Sequence, residues 1–378
     1  MMQGQNVSRT QRPTPYEKWM QEQGIPVIEG YGVTDLQQQP PAHWQSLGCS
    51  AAFVHLKGME GITGMYAAEI PVGGETKTEK HLYEEVVYVL KGKGKTQLFG
   101  PGEGANSFDW REGSLFAVPL NAPRKFINTG TEPAFFLAVT TAPLVFDLFH
   151  NEKFVRSCDF EFTDRYAGEP NYFSKDAAVE KGLWEVNLVR DAPTALDRLR
   201  KSAAGDRPNE GAGTGHGRGY NIVQVEPCGN SLITHLADWP VGRYAKAHHH
   251  GGGAVLLILR SEGYTLMWPN ELGTQPFAQG KGERVVKVDW KVGSVFSPPT
   301  GWFHQHFNTG REPALQLAFR NGSRIYPFGV RRAATREGVF TPVDEGGTQI
   351  EYDKEDPEIR RMFEAALATK GLKADMPL

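Results

Sequence analysis

Apolar residues fall in short runs along this chain, and two stand out: "VVYVL" from Val86 and "VLLIL" from Val255. Each is bounded by polar and glycine turn residues, the signature of a strand. A polar stretch leads into each run, and a glycine turn, a loop and a second strand pair with a proline bend follow it. This order predicts antiparallel hairpins closing into a barrel. Helical patterning is confined to the ends. A short helix is predicted near Tyr16–Gln23, and "DPEIRRMFEAALATKG" predicts another, with Asp356 as N-cap, Pro357 just inside and Gly371 as stop.

The pattern occurs twice. "DWREGSLFAVPLNAPRKFINTGTEPA" (109–134) aligns without gaps on "DWKVGSVFSPPTGWFHQHFNTGREPA" (289–314) at an offset of 180. Upstream, "IPVGGETKTEKHLYEEVVYVLKGKGKT" from Ile70 aligns on "WPVGRYAKAHHHGGGAVLLILRSEGYT" from Trp239 at an offset of 169. The second copy therefore carries 11 more residues between its two elements, assigned to Pro269–Glu283. The predicted organisation is an N-terminal arm (1–50), a first barrel (51–145), a connector (146–215), a second barrel (216–325) and a tail with a helix (326–378). The run "GDRPNEGAGTGHGRG" (205–219) reads as a loop; it lacks the flanking strand and Lys-Ser/Thr of a phosphate-binding turn.

Composition narrows the function class. A net charge of −3 over 378 residues argues against a general nucleic-acid binder. No apolar run reaches the roughly 20 residues needed to span a bilayer, and the first residues lack a secretory apolar stretch. Cys49, Cys158 and Cys228 are far apart and read as free thiols in a reducing compartment, so the cytoplasm is expected.

The two paired motifs resemble those of the cupin superfamily, and their duplication resembles a bicupin. The implied fold is all-β: two tandem jelly-roll-like barrels with an N-terminal arm and a short C-terminal helix. The second copy keeps the second motif throughout, at Gly293, Pro299, Gly301, His304 and Asn308, and keeps Gly242, His248 and His250 of the first. Ala254 stands where the family has glutamate. The first copy keeps Gly73, His81, Glu85, Gly92, Gly113, Pro119 and Asn128, but Glu79 and Arg124 replace two histidines and Asn121 a glycine.

Strand alternation sends residues i and i+2 to one face. His248 and His250 are thus expected to point inward with His304 and to hold one divalent metal per chain, while His249 points away. The glycines after His250 are expected to leave room at the missing glutamate. Arg124 is expected to pair with Glu79 or Glu85 and keep the first barrel free of metal.

Members with three histidines and no glutamate resemble gentisate- and salicylate-type ring-cleaving dioxygenases. The resemblance implies iron(II), with zinc, manganese, nickel or copper as other candidates. It implies a small anionic aromatic or enolic acid and dioxygen as ligands, in a homo-oligomer. His306 is the candidate for proton transfer, since imidazole titrates near neutrality. Trp268, Trp302 and Phe303 are candidate pocket walls. The alternative readings are a metal-dependent isomerase, decarboxylase or hydrolase, and a non-catalytic metal-bearing small-molecule binder.

Overall fold

The computed structural model describes residues 12–39, 41–59, 61–100, 105–175, 183–195, 221–323, 326 and 341–376. The glycine-rich run at 205–219 lies outside them. Two antiparallel barrels follow one another. In the first, strands Cys49–Leu56, Gly64–Ile70, Ala134–Thr140, Glu85–Lys91 and Leu115–Val118 form the large sheet, and Arg124–Asn128, Lys93–Phe99 and Ala105–Arg111 form the small one. The second repeats this strand for strand. Asn221–Val225, Leu232–Trp239, Ala314–Asn321, Val255–Arg260 and Val295–Phe296 form its large sheet. Val286–Trp290, Gly263–Pro269 and Trp302–Asn308 form its small one. The extra length of the second copy falls between Gly263–Pro269 and Val286–Trp290, as the repeat predicted.

The two large sheets pack back to back. Val86, Tyr88, Leu137 and Val139 from the first meet Leu257, Leu315, Leu317 and Phe319 from the second in one buried cluster. Their neighbours Val87, Val89, Phe136 and Ala138 point the other way, into the first barrel. Both faces of these strands are buried, which is why "VVYVL" and "VLLIL" are continuous apolar runs with no polar alternation.

The arm and connector are woven into both barrels. Val27–Gly30 runs parallel to Cys49–Leu56 in the first large sheet, and Gly32–Val33 then pairs with Val295–Phe296 in the second. In the connector, Leu183–Trp184 extends the second sheet and Leu188–Val189 the first. These short strands satisfy backbone groups that a bare sheet edge would expose. Two connector helices, Ala142–Phe149 and Glu152–Ser157, were not evident in the sequence.

The end helices follow the predicted signals. Pro15–Glu22 begins in a capping box between Thr14 and Glu17. Pro357–Ala368 begins at Asp356, whose carboxylate accepts from the Glu358 N–H at 3.0 Å. Its Ile359, Phe363 and Leu367 cover the outer face of the second small sheet.

The last of the three glycines after His250 serves a joint between the barrels. Gly253 has φ +83°, its N–H donates to the Gly58 carbonyl at 2.9 Å, and its own carbonyl accepts from Thr63 Oγ1 at 2.6 Å. A Cβ there would lie 2.8 Å from Ile62 Cγ2, whereas one on Gly73, at φ +69°, would meet nothing within 4 Å. Both substitutions by alanine carry the left-handed backbone cost, but only Gly253→Ala adds the clash. Gly253→Ala is expected to destabilise the chain by about 1–3 kcal/mol more than Gly73→Ala in denaturant unfolding.

Candidate metal centre

The geometry of the site starts from the backbone. His248 lies opposite His304, joined by His248 N–H to the His304 carbonyl at 3.1 Å and His304 N–H to the His248 carbonyl at 2.9 Å. On its other side the same segment pairs with the tail. The His249 N–H donates to the Thr348 carbonyl at 3.1 Å, and the Ile350 N–H to the Ala247 carbonyl at 2.8 Å. The histidine run is therefore held between two segments of the chain, and nothing in the tail's sequence announced this second partner.

The rings of His248 and His250 lie 4.4 and 4.7 Å from that of His304, centroid to centroid. One candidate ligand atom from each of the three residues lies within 4.8 Å of the others. His248 and His304 are buried and His250 is exposed, so the cluster opens to solvent on one side. The His248 and His304 Nδ1 atoms lie 2.9 and 3.1 Å from the Lys246 and Trp302 carbonyls, and the His250 Nδ1 lies 2.7 Å from that of Gly251. A carbonyl can only accept, so each Nδ1 carries a proton, and Nε2 is the atom of each ring that can ligate a metal. Three imidazoles with Nδ1 held in this way and candidate ligand atoms gathered together fit a divalent transition metal.

His249 is not brought to the cluster. It packs edge-on against Phe303 at 5.0 Å, and burial lowers its pKa. Among the proposed pocket walls, only Trp302 shares the histidine face of its strand, where it meets Tyr31 of the arm at 5.7 Å. Trp268 and Phe303 correct the expectation. Alternation places them on the opposite face, in the cluster beneath the C-terminal helix, and the Trp268 indole donates to the Gly273 carbonyl. His306 is buried inside the barrel, 5.6 Å from the His304 ring. Ala254 is buried in the inner cluster with Leu256 and Phe296, so a methyl group fills the position that Glu85 holds in the first barrel.

The equivalent pair in the first barrel is Glu79 opposite Arg124, joined by the same two backbone bonds at 3.0 and 2.9 Å. The side chains make a closed ionic cluster. Arg124 Nη2 donates to Glu85 Oε2 at 2.7 Å and to His81 Nε2 at 2.5 Å, while the Tyr66 hydroxyl donates to Glu85 Oε1 at 2.6 Å. Glu79 pairs instead with Arg156 of the Glu152–Ser157 helix, a partner that the motif could not reveal. Burial pushes the Glu85 carboxyl up, but the Arg124 charge and the interactions with His81 and Tyr66 together outweigh it and hold the group well below the usual range. Burial, then the Arg124 charge, push the His81 imidazole down to about 4. His81 is thus neutral, with its one free lone pair already taken by a guanidinium.

The interiors differ in the same sense. Phe126 packs edge-on against Phe116 and Phe136 at 5.9 and 5.3 Å. In the second barrel, Phe126 and Phe136 become His306 and Gln316, both buried, while Phe116 remains phenylalanine as Phe296.

Residues 67–140, within the first barrel, match the family model for the Cupin domain. The second barrel repeats that barrel strand for strand. The fold is that of a bicupin. Solved oxalate decarboxylase structures are similar in outline. One is 13% identical over 77% of each chain, with a TM-score of 0.46. A deletion mutant of the Bacillus subtilis enzyme is 14% identical over 78% of this chain and 77% of that chain, with a TM-score of 0.45. Similarity at this level does not extend to chemistry. No curated protein matches the chain.

The ionic cluster predicts a specific fragility. Arg124→Ala leaves Glu85 buried without its counter-charge and is expected to cost about 3–5 kcal/mol in denaturant unfolding. A pH dependence follows from His81. Its folded value is depressed from 6.5 to about 4, so its stabilising contribution is complete above the unfolded value. That contribution is lost as pH falls through this window, because the unfolded chain takes up a proton that the native one refuses. His81→Gln should flatten this part of the stability curve.

Proposed function

We propose that the second barrel holds one divalent metal through His248, His250 and His304, and that the protein is a non-haem iron(II) dioxygenase acting on a small aromatic or enolic acid. The observation that carries the reading is the donor set: three clustered imidazoles, each with Nδ1 on a backbone carbonyl, and Ala254 where a fourth, anionic ligand would stand. Such a set leaves the full charge of the ion uncompensated. It therefore favours an anionic substrate that chelates through a hydroxyl and a neighbouring carboxylate or carbonyl.

Iron held there would supply Lewis acidity and a path for electrons between an acid and dioxygen. The chain's own contribution is positional. The backbone carbonyls of Lys246, Gly251 and Trp302 hold the three rings in one tautomer. The exposed side of His250 gives a solute access, and the cover of helix and tail closes the opposite face.

The test is oxygen uptake by the anaerobically iron-loaded protein with salicylate, gentisate and simple β-diketones. Uptake matched to loss of one of these acids is expected. Equal turnover of an acid by the zinc form without oxygen would overturn the dioxygenase reading and favour Lewis-acid chemistry. His249→Ala should keep the metal, whereas His304→Ala should lose most of it. Ala254→Glu should keep the metal and lower oxygen uptake at least about tenfold, because a carboxylate reduces the charge on the ion and occupies a coordination position.

A further inference from the structure

A fourth imidazole lies beside the cluster, and its hydrogen bonds are arranged in the opposite sense. His306 Nδ1 lies 2.9 Å from Thr265 Oγ1, and the Trp290 indole N–H donates to that same oxygen at 3.1 Å. All three side chains are buried. The indole can only donate, so Thr265 accepts from it. The threonine hydroxyl has one proton of its own to place. If His306 Nδ1 also donated to Thr265, that proton would be buried without an acceptor, at a cost of about 1–3 kcal/mol. The arrangement that satisfies the indole, the threonine hydroxyl and Nδ1 runs in one direction: Trp290 N–H to Thr265 oxygen, and Thr265 O–H to His306 Nδ1. Neutral His306 then carries its proton on Nε2.

The first barrel supplies an internal control. The repeat places Thr96, Trp110 and Phe126 at the positions of Thr265, Trp290 and His306. The strand registers agree, with Thr96 opposite Phe126 and Thr265 opposite His306. In both barrels the tryptophan lies against a glycine, Gly94 or Gly263, too closely to admit a Cβ. The tryptophan and threonine are therefore common to the barrel. In the first copy, however, phenylalanine occupies the third position, and Thr96 Oγ1 and Trp110 Nε1 make no hydrogen bond among the described residues. The barrel builds without the relay, and the relay exists only where the imidazole cluster does.

We propose that Thr265 and Trp290 are positioning residues that hold His306 as a neutral imidazole with its proton on Nε2. This makes it a hydrogen-bond donor of fixed direction beside the three lone-pair donors. The role rests on the reading of the second barrel as a metal and acid site. It differs from that of a general base, since the lone pair of this ring is engaged by Thr265. Of the four clustered imidazoles, three are prepared to bind a cation and the fourth to donate to an oxygen acceptor such as a carboxylate.

Long-range proton–nitrogen NMR of the full chain, labelled with ¹⁵N-histidine and loaded with zinc, tests the tautomer directly. His306→Phe identifies the ring's signals, and metal content is measured on each sample. The wild type should show a protonated Nε2 and an unprotonated Nδ1 at His306. Thr265→Ser, which keeps the hydroxyl, should retain that pattern, and Thr265→Val should lose it while keeping the metal. The unpartnered Thr96 shows that such a variant can fold. A proton on Nδ1 in the wild type, or an unchanged tautomer in Thr265→Val, would overturn the proposal. Failure of the wild type to take up zinc would instead count against the metal reading, and the nitrogen signals would still decide the relay.

Discussion

One cross-strand pair governs the chemistry of both barrels. A residue from the segment entering the barrel and a residue from the small sheet are held opposite each other by two backbone hydrogen bonds, whatever their side chains. In the second barrel the pair is His248 and His304; in the first it is Glu79 and Arg124. Because side chains alternate along a strand, fixing this pair also fixes the residues two positions away. His250 joins the metal-type cluster in one barrel, and His81 joins the ionic cluster in the other. The fold thus delivers two equivalent sets of positions, and a few substitutions decide between a lone-pair face and a neutralised core.

The two outcomes are electrostatically exclusive. A guanidinium among the ligand positions occupies the lone pair of His81, and with Glu85 it balances charge inside a low-dielectric barrel, where an unpaired ion would be costly. In the second barrel His304 stands where Arg124 stands in the first. The rings of the second barrel's cluster are oriented by backbone carbonyls. The polar interior extends further inward, through His306, where the first barrel is filled by phenylalanines packed edge-on. Packing and chemistry change together between the copies. The metal-type barrel is supported by the tail segment against its histidine strand and by the C-terminal helix over its outer face.

Much of this was legible in the chain. The repeat gave the number of barrels, the placement of the inserted loop and the residues at motif positions, because each depends on short-range spacing that survives in a single sequence. The inward direction of His248, His250 and His304 followed from alternation. What escaped was set by contacts distant in sequence. Arg156 reaches Glu79 from a connector helix, residues 348–350 pair with the histidine run from the tail, and the arm crosses from one large sheet to the other. Trp268 and Phe303 were misplaced for a different reason: an aromatic next to a motif histidine looks like a pocket wall, yet the same alternation sends it to the far face. The glycines after His250 were read as clearance for chemistry, and Gly253 proves to be a joint between barrels.

The claim on which the account rests is that the three imidazoles, and not the first barrel, form the metal site. X-ray absorption on the iron-loaded full chain, with metal content measured on the same sample, addresses it directly. The account predicts one ion per chain with three imidazole nitrogens in its inner shell and only light oxygen donors besides. A second ion, or a spectrum with fewer than three imidazoles and a carboxylate among the ligands, would contradict it.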